Sequence, residues 1–339
     1  VTDQLDPSWD DIEQAVGYKY FTPLSDAAFQ LIADARNPHR IYLGIEALDR
    51  EMRGISPGHV VVVNGYSHSG KTQTTIHVIR HNADKRVLYL TPDEPPALVI
   101  TKLAAAESGM GGEELEARVR ADDHTGMAIL NDTLDRYPGL VVVSRSMTPR
   151  ILNAVYDEAC DHWGTPPDLV VFDFLDLLQG GEGTMAKAEV LKAFATEHHV
   201  PLFLLHQTSR SAGAQGQKMT MSSGSYGGET VATFVLGVRR KKAAILHELG
   251  DLESKPVKTE WTNDRIAYLH SQLLVHQYTL TLNMSKNKRP GGQPVDDIDM
   301  ELWLDTGVMS PLNGDLPVQF RRGRLRAVPD PYNQQEVRW

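Results

Sequence analysis

The sequence predicts an α/β fold: one large domain with appendages. Three observations carry this. Short apolar runs that read as strands alternate with stretches of helical periodicity along most of the chain. The first strong run, His59-Val-Val-Val-Val-Asn64, feeds a glycine-rich turn that opens a helix. A length of 339 residues at 41% hydrophobic content supplies a core slightly larger than one domain usually needs, which favours a single domain with additions over two.

Composition narrows the function classes. A single cysteine, Cys160, excludes an intrachain disulfide framework and suits a reducing, cytoplasmic setting. There is no run of about 18 apolar residues, so no membrane span is expected. The first residues, Val1-Thr-Asp-Gln-Leu-Asp6, are acidic and unlike a signal segment. With a net charge of −10, contact with nucleic acid must use a local basic surface rather than a global field.

In chain order, residues 1–21 read as a loose acidic arm. Thr22 suits an N-cap and Pro23 a first helical position. Leu24, Ala27, Ala28, Leu31, Ile32 and Ala35 then mark one helix face, which Pro38 ends. That face packs on its own domain or docks on the next subunit of an oligomer. A short helix around Leu48-Asp49-Arg50 and a turn at Pro57-Gly58 lead into the first strand.

Gly65-Tyr66-Ser67-His68-Ser69-Gly70-Lys71-Thr72 has the spacing G-x-x-x-x-G-K-T, that of a phosphate-binding loop. Gly65 and Gly70 permit a tight turn, and the backbone N–H groups through Ser67, His68 and Ser69 converge on a polyphosphate. The helix that follows adds its positive end. Lys71 reaches the β and γ phosphates, and the Thr72 hydroxyl is a ligand for Mg²⁺. His77 and His81 have metal spacing, but Val78 stands where H-E-x-x-H needs glutamate, so an ordinary helix is the better reading.

Arg86 to Thr91 reads as a second strand running into Pro92-Asp93-Glu94-Pro95, which puts acidic residues at a strand's carboxyl end. Helical patterns follow at 96–108 and 113–120, whereas 121–138 shows none. Leu140–Val143 is a third strand and 148–163 a helix. Asp168-Leu-Val-Val-Phe-Asp173 has the form of the second nucleotide-site motif, four apolar residues closing on the aspartate that holds the Mg²⁺ water shell. Asp176 reads as a turn residue. A helix over 185–198 leads to a fifth strand that ends at His206-Gln207.

Residues 208–228 carry no pattern. Their Gly/Ser content, with Arg210, Lys218 and Tyr226, suits a loop that touches a phosphate backbone. A sixth strand over 231–238 ends in the basic run Arg239-Arg-Lys-Lys242, and 243–270 reads as a mostly helical insertion. A strand from Leu273 to Met284 closes on the basic turn Ser285-Lys286-Asn287-Lys288-Arg289-Pro290, and 299–304 returns as its partner. The tail after Leu316, with Arg321, Arg322, Arg324 and Arg326, reads as flexible, a second electrostatic handle.

Together these stretches resemble the RecA/DnaB superfamily of ATP-driven DNA motors. The likeness covers roughly residues 40–305 and is strongest to the core of DnaB-like replicative helicases. It rests on Gly44-Ile with Leu48-Asp49-Arg50 and Pro57-Gly58, the phosphate loop, Leu88-Tyr-Leu-Thr91, Asp173-Phe-Leu-Asp-Leu-Leu178, and Pro201-Leu-Phe-Leu-Leu-His-Gln207. The resemblance implies a twisted, mainly parallel sheet flanked by helices, with ATP and Mg²⁺ bound between the subunits of a ring, a hexamer, acting on single-stranded DNA.

By the same resemblance Lys71 and Thr72 hold phosphate and metal, and Asp173 the metal shell. Asp93 or Glu94 is the carboxylate that activates water, and Gln207 senses the γ-phosphate for the DNA loop at 208–228. In the basic turn the helicases carry Lys-x-Arg and the recombinases a lysine pair, inserted into the neighbour's site. This chain has Lys286-Asn-Lys288 with Arg289 one place late.

The implied organisation is an arm over 1–40, a motor core over 41–305 and a tail over 306–339. About 40 residues precede the core where the helicases carry a primase-partner domain, as in phage-encoded members, which implies a host cytoplasm. Alternatives are a filament-forming strand-exchange recombinase and a RecA-like ATPase with only a protein partner. No nuclease motif is legible.

Overall fold

The structure, a computed structural model, describes residues 23–37, 40–208, 218, 220 and 228–312. In chain order the elements are α1 (Leu24–Arg36), α2 (Glu46–Met52), β1 (Val60–Gly65), α3 (Lys71–His81), β2 (Val87–Leu90), α4 (Pro96–Ser108), α5 (Gly112–Arg120) and α6 (His124–Arg136). There follow β3 (Leu140–Val143), α7 (Pro149–Trp163), β4 (Leu169–Phe172), α8 (Gly183–Glu197), β5 (Leu202–Gln207), α9 (Gly228–Val231) and β6 (Phe234–Arg240). The last are α10 (Lys241–Glu253), α11 (Glu260–Val275), β7 (Thr279–Asn287), β8 (Val295–Leu302) and β9 (Met309–Pro311).

These strands form one sheet in the order β3-β2-β4-β5-β1-β6-β7-β8-β9. β1 to β6 are mutually parallel, and β7, β8 and β9 continue the sheet antiparallel. The apolar runs are continuous rather than alternating because the central strands are covered on both faces. Val61, Val63, Tyr89, Val171, Phe203 and Leu205 pack on one face. Their neighbours Val60, Val62, Leu88, Leu90, Val170, Phe172, Leu202 and Leu204 pack on the other.

Several elements differ from expectation. Pro23 is the cap position of α1 rather than its first helical residue, and it offers no side-chain cap. Thr22, the arm and the tail lie outside the described residues. No residue of α1 is buried, and Leu24 and Leu31 are 87% and 69% exposed. The patternless stretch 121–138 contains α6, capped by Asp123, whose carboxylate accepts from the Thr125 and Gly126 N–H groups at 2.9 and 3.2 Å.

The sixth strand begins at Phe234 rather than Val231, because Gly228–Val231 is a helical turn. It also runs on through Arg239 and Arg240. The insertion is a helical hairpin, α10 and α11, with its own small core of Ile245, Leu249, Leu252 and Leu269. Since α11 continues to Val275, the next strand starts at Thr279, not Leu273; its partner starts at Val295, not Asp299.

Candidate active site

β1, β2, β4, β5 and β6 end along one edge of the sheet, and the turns beyond those ends enclose a cavity of about 470 Å³. This is where ligands bind in open α/β sheets. It is lined by Ser67 to Gln73, Thr91, Asp93, Glu94, Lys102, Asp173, Phe174, Gln207, Arg240, Leu302 and Leu304.

The glycine-rich loop closes one side. A Cβ at Gly65 would meet the Val238 carbonyl oxygen at 2.7 Å. At Gly70, with φ +102°, it would meet Leu280 Cδ1 at 2.7 Å. Both positions therefore require glycine. The Ser69 N–H donates to the Tyr66 carbonyl at 3.1 Å, and the Thr74 N–H to that of Gly70 at 2.9 Å, where α3 begins. Lys71 Nζ folds back onto the loop, donating to the carbonyls of Gly65 (2.9 Å) and Tyr66 (2.8 Å). Burial pushes its ammonium down to about 8, opposed by the charges of Asp173 and Asp176.

Asp173 ends β4 as expected and is 7% exposed. Its Oδ2 accepts from the Tyr89 hydroxyl at 2.9 Å and from Thr72 Oγ1 at 3.3 Å. Burial raises its pKa, the Tyr89 hydrogen bond lowers it, and the Glu94 charge raises it again. A hydroxyl and a carboxylate this close, open to the cavity, are the hard-oxygen set that suits a small divalent cation taking its other ligands from phosphate and water. The described residues hold no cluster of three or more His, Cys, Asp or Glu fit for a metal. His77 instead lies 3.3 Å from the Gly44 carbonyl, pushed down to about 4 mainly by burial. Asp176, on the 3-10 turn Leu175–Leu177, is exposed.

The two acidic candidates after β2 have different surroundings. Asp93 is exposed. Glu94 is half-buried, is felt electrostatically at both Asp173 and Tyr89, and pairs through Oε1 with Lys102 Nζ at 2.5 Å. Gln207 ends β5 in register with Gly65 and lines the cavity. Behind it, His206 Nδ1 lies 3.2 Å from Asn64 Oδ1.

Lys286, Lys288 and Arg289 are not at this edge. β7 runs antiparallel to β6 and pairs its last residue, Asn287, with Phe234, the first of β6. The basic turn therefore lies at the amino ends of the parallel strands, about 20 Å from the loop by the rise of six strand residues. Lys286 and Lys288 donate to the Thr230 carbonyl at 3.1 and 3.4 Å. Arg289 Nη2 donates to the Gly54 carbonyl and to Ser56 Oγ, both at 3.0 Å. Positive charge gathers at this edge: burial, then Arg289, Lys192, Arg40 and His199, push His59 down to about 4.

Of the nucleic-acid candidates, Arg210 and Tyr226 lie outside the described residues. Lys218 is exposed and donates to Asp296 Oδ1 at 2.6 Å.

Sequence reasoning missed Tyr89, Lys102, Arg240 and the two leucines. Arg240 was visible only as part of a basic run, which the fold splits. Arg239 pairs with Asp297 and Lys241 with Asp299, both on β8. Arg240 lines the cavity, donating to the Gln277 carbonyl at 3.1 Å.

The sequence matches the model of the DnaB-like helicase C-terminal domain over residues 41–242. Among solved structures, a DnaB-like replicative helicase, described together with its interactions with primase, superposes with a TM-score of 0.64 at 14% identity. That match covers 90% of this chain and 71% of the other. The ATPase domain of a phage helicase superposes with a TM-score of 0.63 at 15% identity, covering 86% of this chain and 99% of that domain. No curated protein matches the sequence. Identities this low show shared fold alone, a mostly parallel RecA-like sheet flanked by helices. The match to the family over more than half of the sequence, reaching from the turn before α2 into α10, makes this chain a member of the DnaB-like helicase C-terminal domain family.

Proposed function

We propose that this helicase domain couples Mg²⁺-dependent ATP hydrolysis to movement on single-stranded DNA, and that it does so as a ring, a hexamer, with each ATP site completed by a neighbouring subunit. The observation that carries the reading is the separation of two halves of one chemistry. Lys71, Thr72, Asp173, Glu94 and Gln207 border a single cavity, whereas the cationic turn lies at the far edge of the sheet, beyond reach of its own cavity.

The loop amides from Ser67 to Gly70 and the Lys71 ammonium bind the β and γ phosphates, for which Lys71 exchanges its two carbonyl partners. Thr72 Oγ1 and Asp173 hold Mg²⁺, which when bound neutralises charge on the phosphates. Glu94, favoured over Asp93 by its nearness to Asp173, orients the attacking water. Gln207 reports the γ-phosphate to the chain that follows it, which carries Arg210, Lys218 and Tyr226 as phosphate-backbone contacts. A neighbour's Lys286 and Lys288 stabilise charge developing on the phosphoryl group, worth on the order of 10³-fold in comparable systems. Arg289, held by Gly54 and Ser56, orders the turn that presents them. The uncovered apolar face of α1 supports docking on a neighbour, which fits assembly.

ATP turnover measured with and without single-stranded DNA, beside electron microscopy of the assembly, tests this. Stimulated turnover by closed rings is expected. Helical filaments would favour strand exchange, and absence of DNA binding at low salt would favour a purely protein partner.

A further inference from the structure

Glu94 is the group that must accept a water's hydrogen bond, yet in this conformation neither of its oxygens is available. Oε1 accepts from the Lys102 ammonium at 2.5 Å, in a pair whose side chains are only 21% and 20% exposed. Oε2 is sealed from solvent and has no hydrogen-bond partner among the described residues. A water-orienting carboxylate has to present a lone pair to that water. Here one oxygen is spent on a cation and the other is shut inside the protein. A buried acceptor without a donor is costly to maintain, so the ion pair is the interaction that keeps the side chain where it is.

Lys102 belongs to α4, eight residues beyond Glu94, so the contact links the turn after β2 to the second turn of that helix. Its ammonium borders the same cavity as Lys71 and Gln207. A polyphosphate entering that cavity brings more negative charge than one carboxylate, and it competes for the lysine. The same event that fills the site therefore pulls Lys102 away and leaves Glu94 free to turn. Leu98, on the same helix, is 38% exposed, so α4 is also open to contact from outside the subunit.

We propose that Lys102 is a positioning residue that withholds Glu94 from water in the empty subunit, so that breaking the Lys102–Glu94 ion pair is a required step before hydrolysis. This rests on the reading of Glu94 as the water-orienting carboxylate. Lys102 then sets how little ATP is turned over in the absence of DNA.

The test is steady-state ATP turnover by the full chain, with and without single-stranded DNA, in Lys102→Met, which keeps the stem and removes the charge. The expected result is an unstimulated kcat raised on the order of tenfold, an unchanged KM for ATP, and a correspondingly smaller stimulation by DNA. Returning a cation as Lys102→Arg should bring the unstimulated kcat back down, which a merely structural contact would not do. Thermal melting verifies that the variant is folded. Should Lys102→Met fail to fold, Lys102→Gln takes its place with the same readouts. An unstimulated kcat that is unchanged or lowered in a folded variant overturns the proposal. Native turnover in Glu94→Gln would instead overturn the functional reading beneath it, so the two failures are distinguishable.

Discussion

Lys71 and Asp173 face the same conflict, each being a charge held in a buried site before its partner arrives. Lys71 is pushed down to about 8 by burial, so the empty site loses its positive charge as pH rises through that value. Bound phosphate restores the charge, and binding above that pH therefore takes up a proton. ATP affinity is expected to fall about tenfold per pH unit above about pH 8, read by titrating a fluorescent ATP analogue between pH 7 and 9.5. Lys71→Met, with no proton to lose, should bind weakly and show a flat profile over that range. Asp173 has the opposite sign. Burial raises its pKa and the Tyr89 hydroxyl pulls it back. In Tyr89→Phe that restraint is gone, the carboxylate protonates at higher pH, and protons compete better with the metal. Turnover should then need about fivefold more Mg²⁺, with a larger effect at pH 6 than at pH 7.5. An unchanged Mg²⁺ requirement at both pH values would remove Tyr89 from the site.

At the scale of elements, legibility followed packing. β1, β4 and β5 were plain in the sequence because burial on both faces forces continuous apolar runs. Asp173 was legible because it ends such a run. α6 was not, since only Gly126 and Thr133 along it are buried and a helix with so little apolar face leaves no periodic trace. Lys102 and Arg240 were illegible as site residues for another reason: what recruits them is the approach of α4 and of the β6 end to the cavity, a tertiary event that no local spacing records. α1 is the reverse case, a helix whose pattern is clear and whose partner is missing from its own subunit. Leu24 and Leu31 stand exposed on it, and a helix with an uncovered apolar face is stabilised by whatever buries it. Leu24→Asp combined with Leu31→Asp should leave the melting temperature of the isolated subunit unchanged and shift the assembly to smaller species in light scattering. Native-sized assemblies from this variant would assign the helix to its own domain.

Across the whole molecule, the direction of the strands decides what one copy can do alone. A parallel sheet sends every carboxyl end to one edge, which gathers Lys71, Asp173, Glu94 and Gln207 there. The antiparallel return of β7 carries Lys286 and Lys288 to the opposite edge, where they rest on the Thr230 carbonyl. No side-chain rearrangement spans about 20 Å of strand, so these lysines act on a triphosphate only if a second copy presents its cavity to them. Subunits that are each inactive by different routes should then complement one another. A mixture of Lys71→Ala subunits with subunits carrying Lys286→Ala and Lys288→Ala contains interfaces where an intact loop meets an intact basic turn. Those interfaces should recover part of the hydrolysis that neither parent shows, with the fraction following the mixing ratio. Subunit exchange is verified by co-purification of differently tagged copies. Once mixed assemblies are present, zero recovery would mean that the lysines serve some purpose other than the neighbour's phosphates. Full activity in a protein that stays monomeric with nucleotide and DNA would mean the cavity is complete without them.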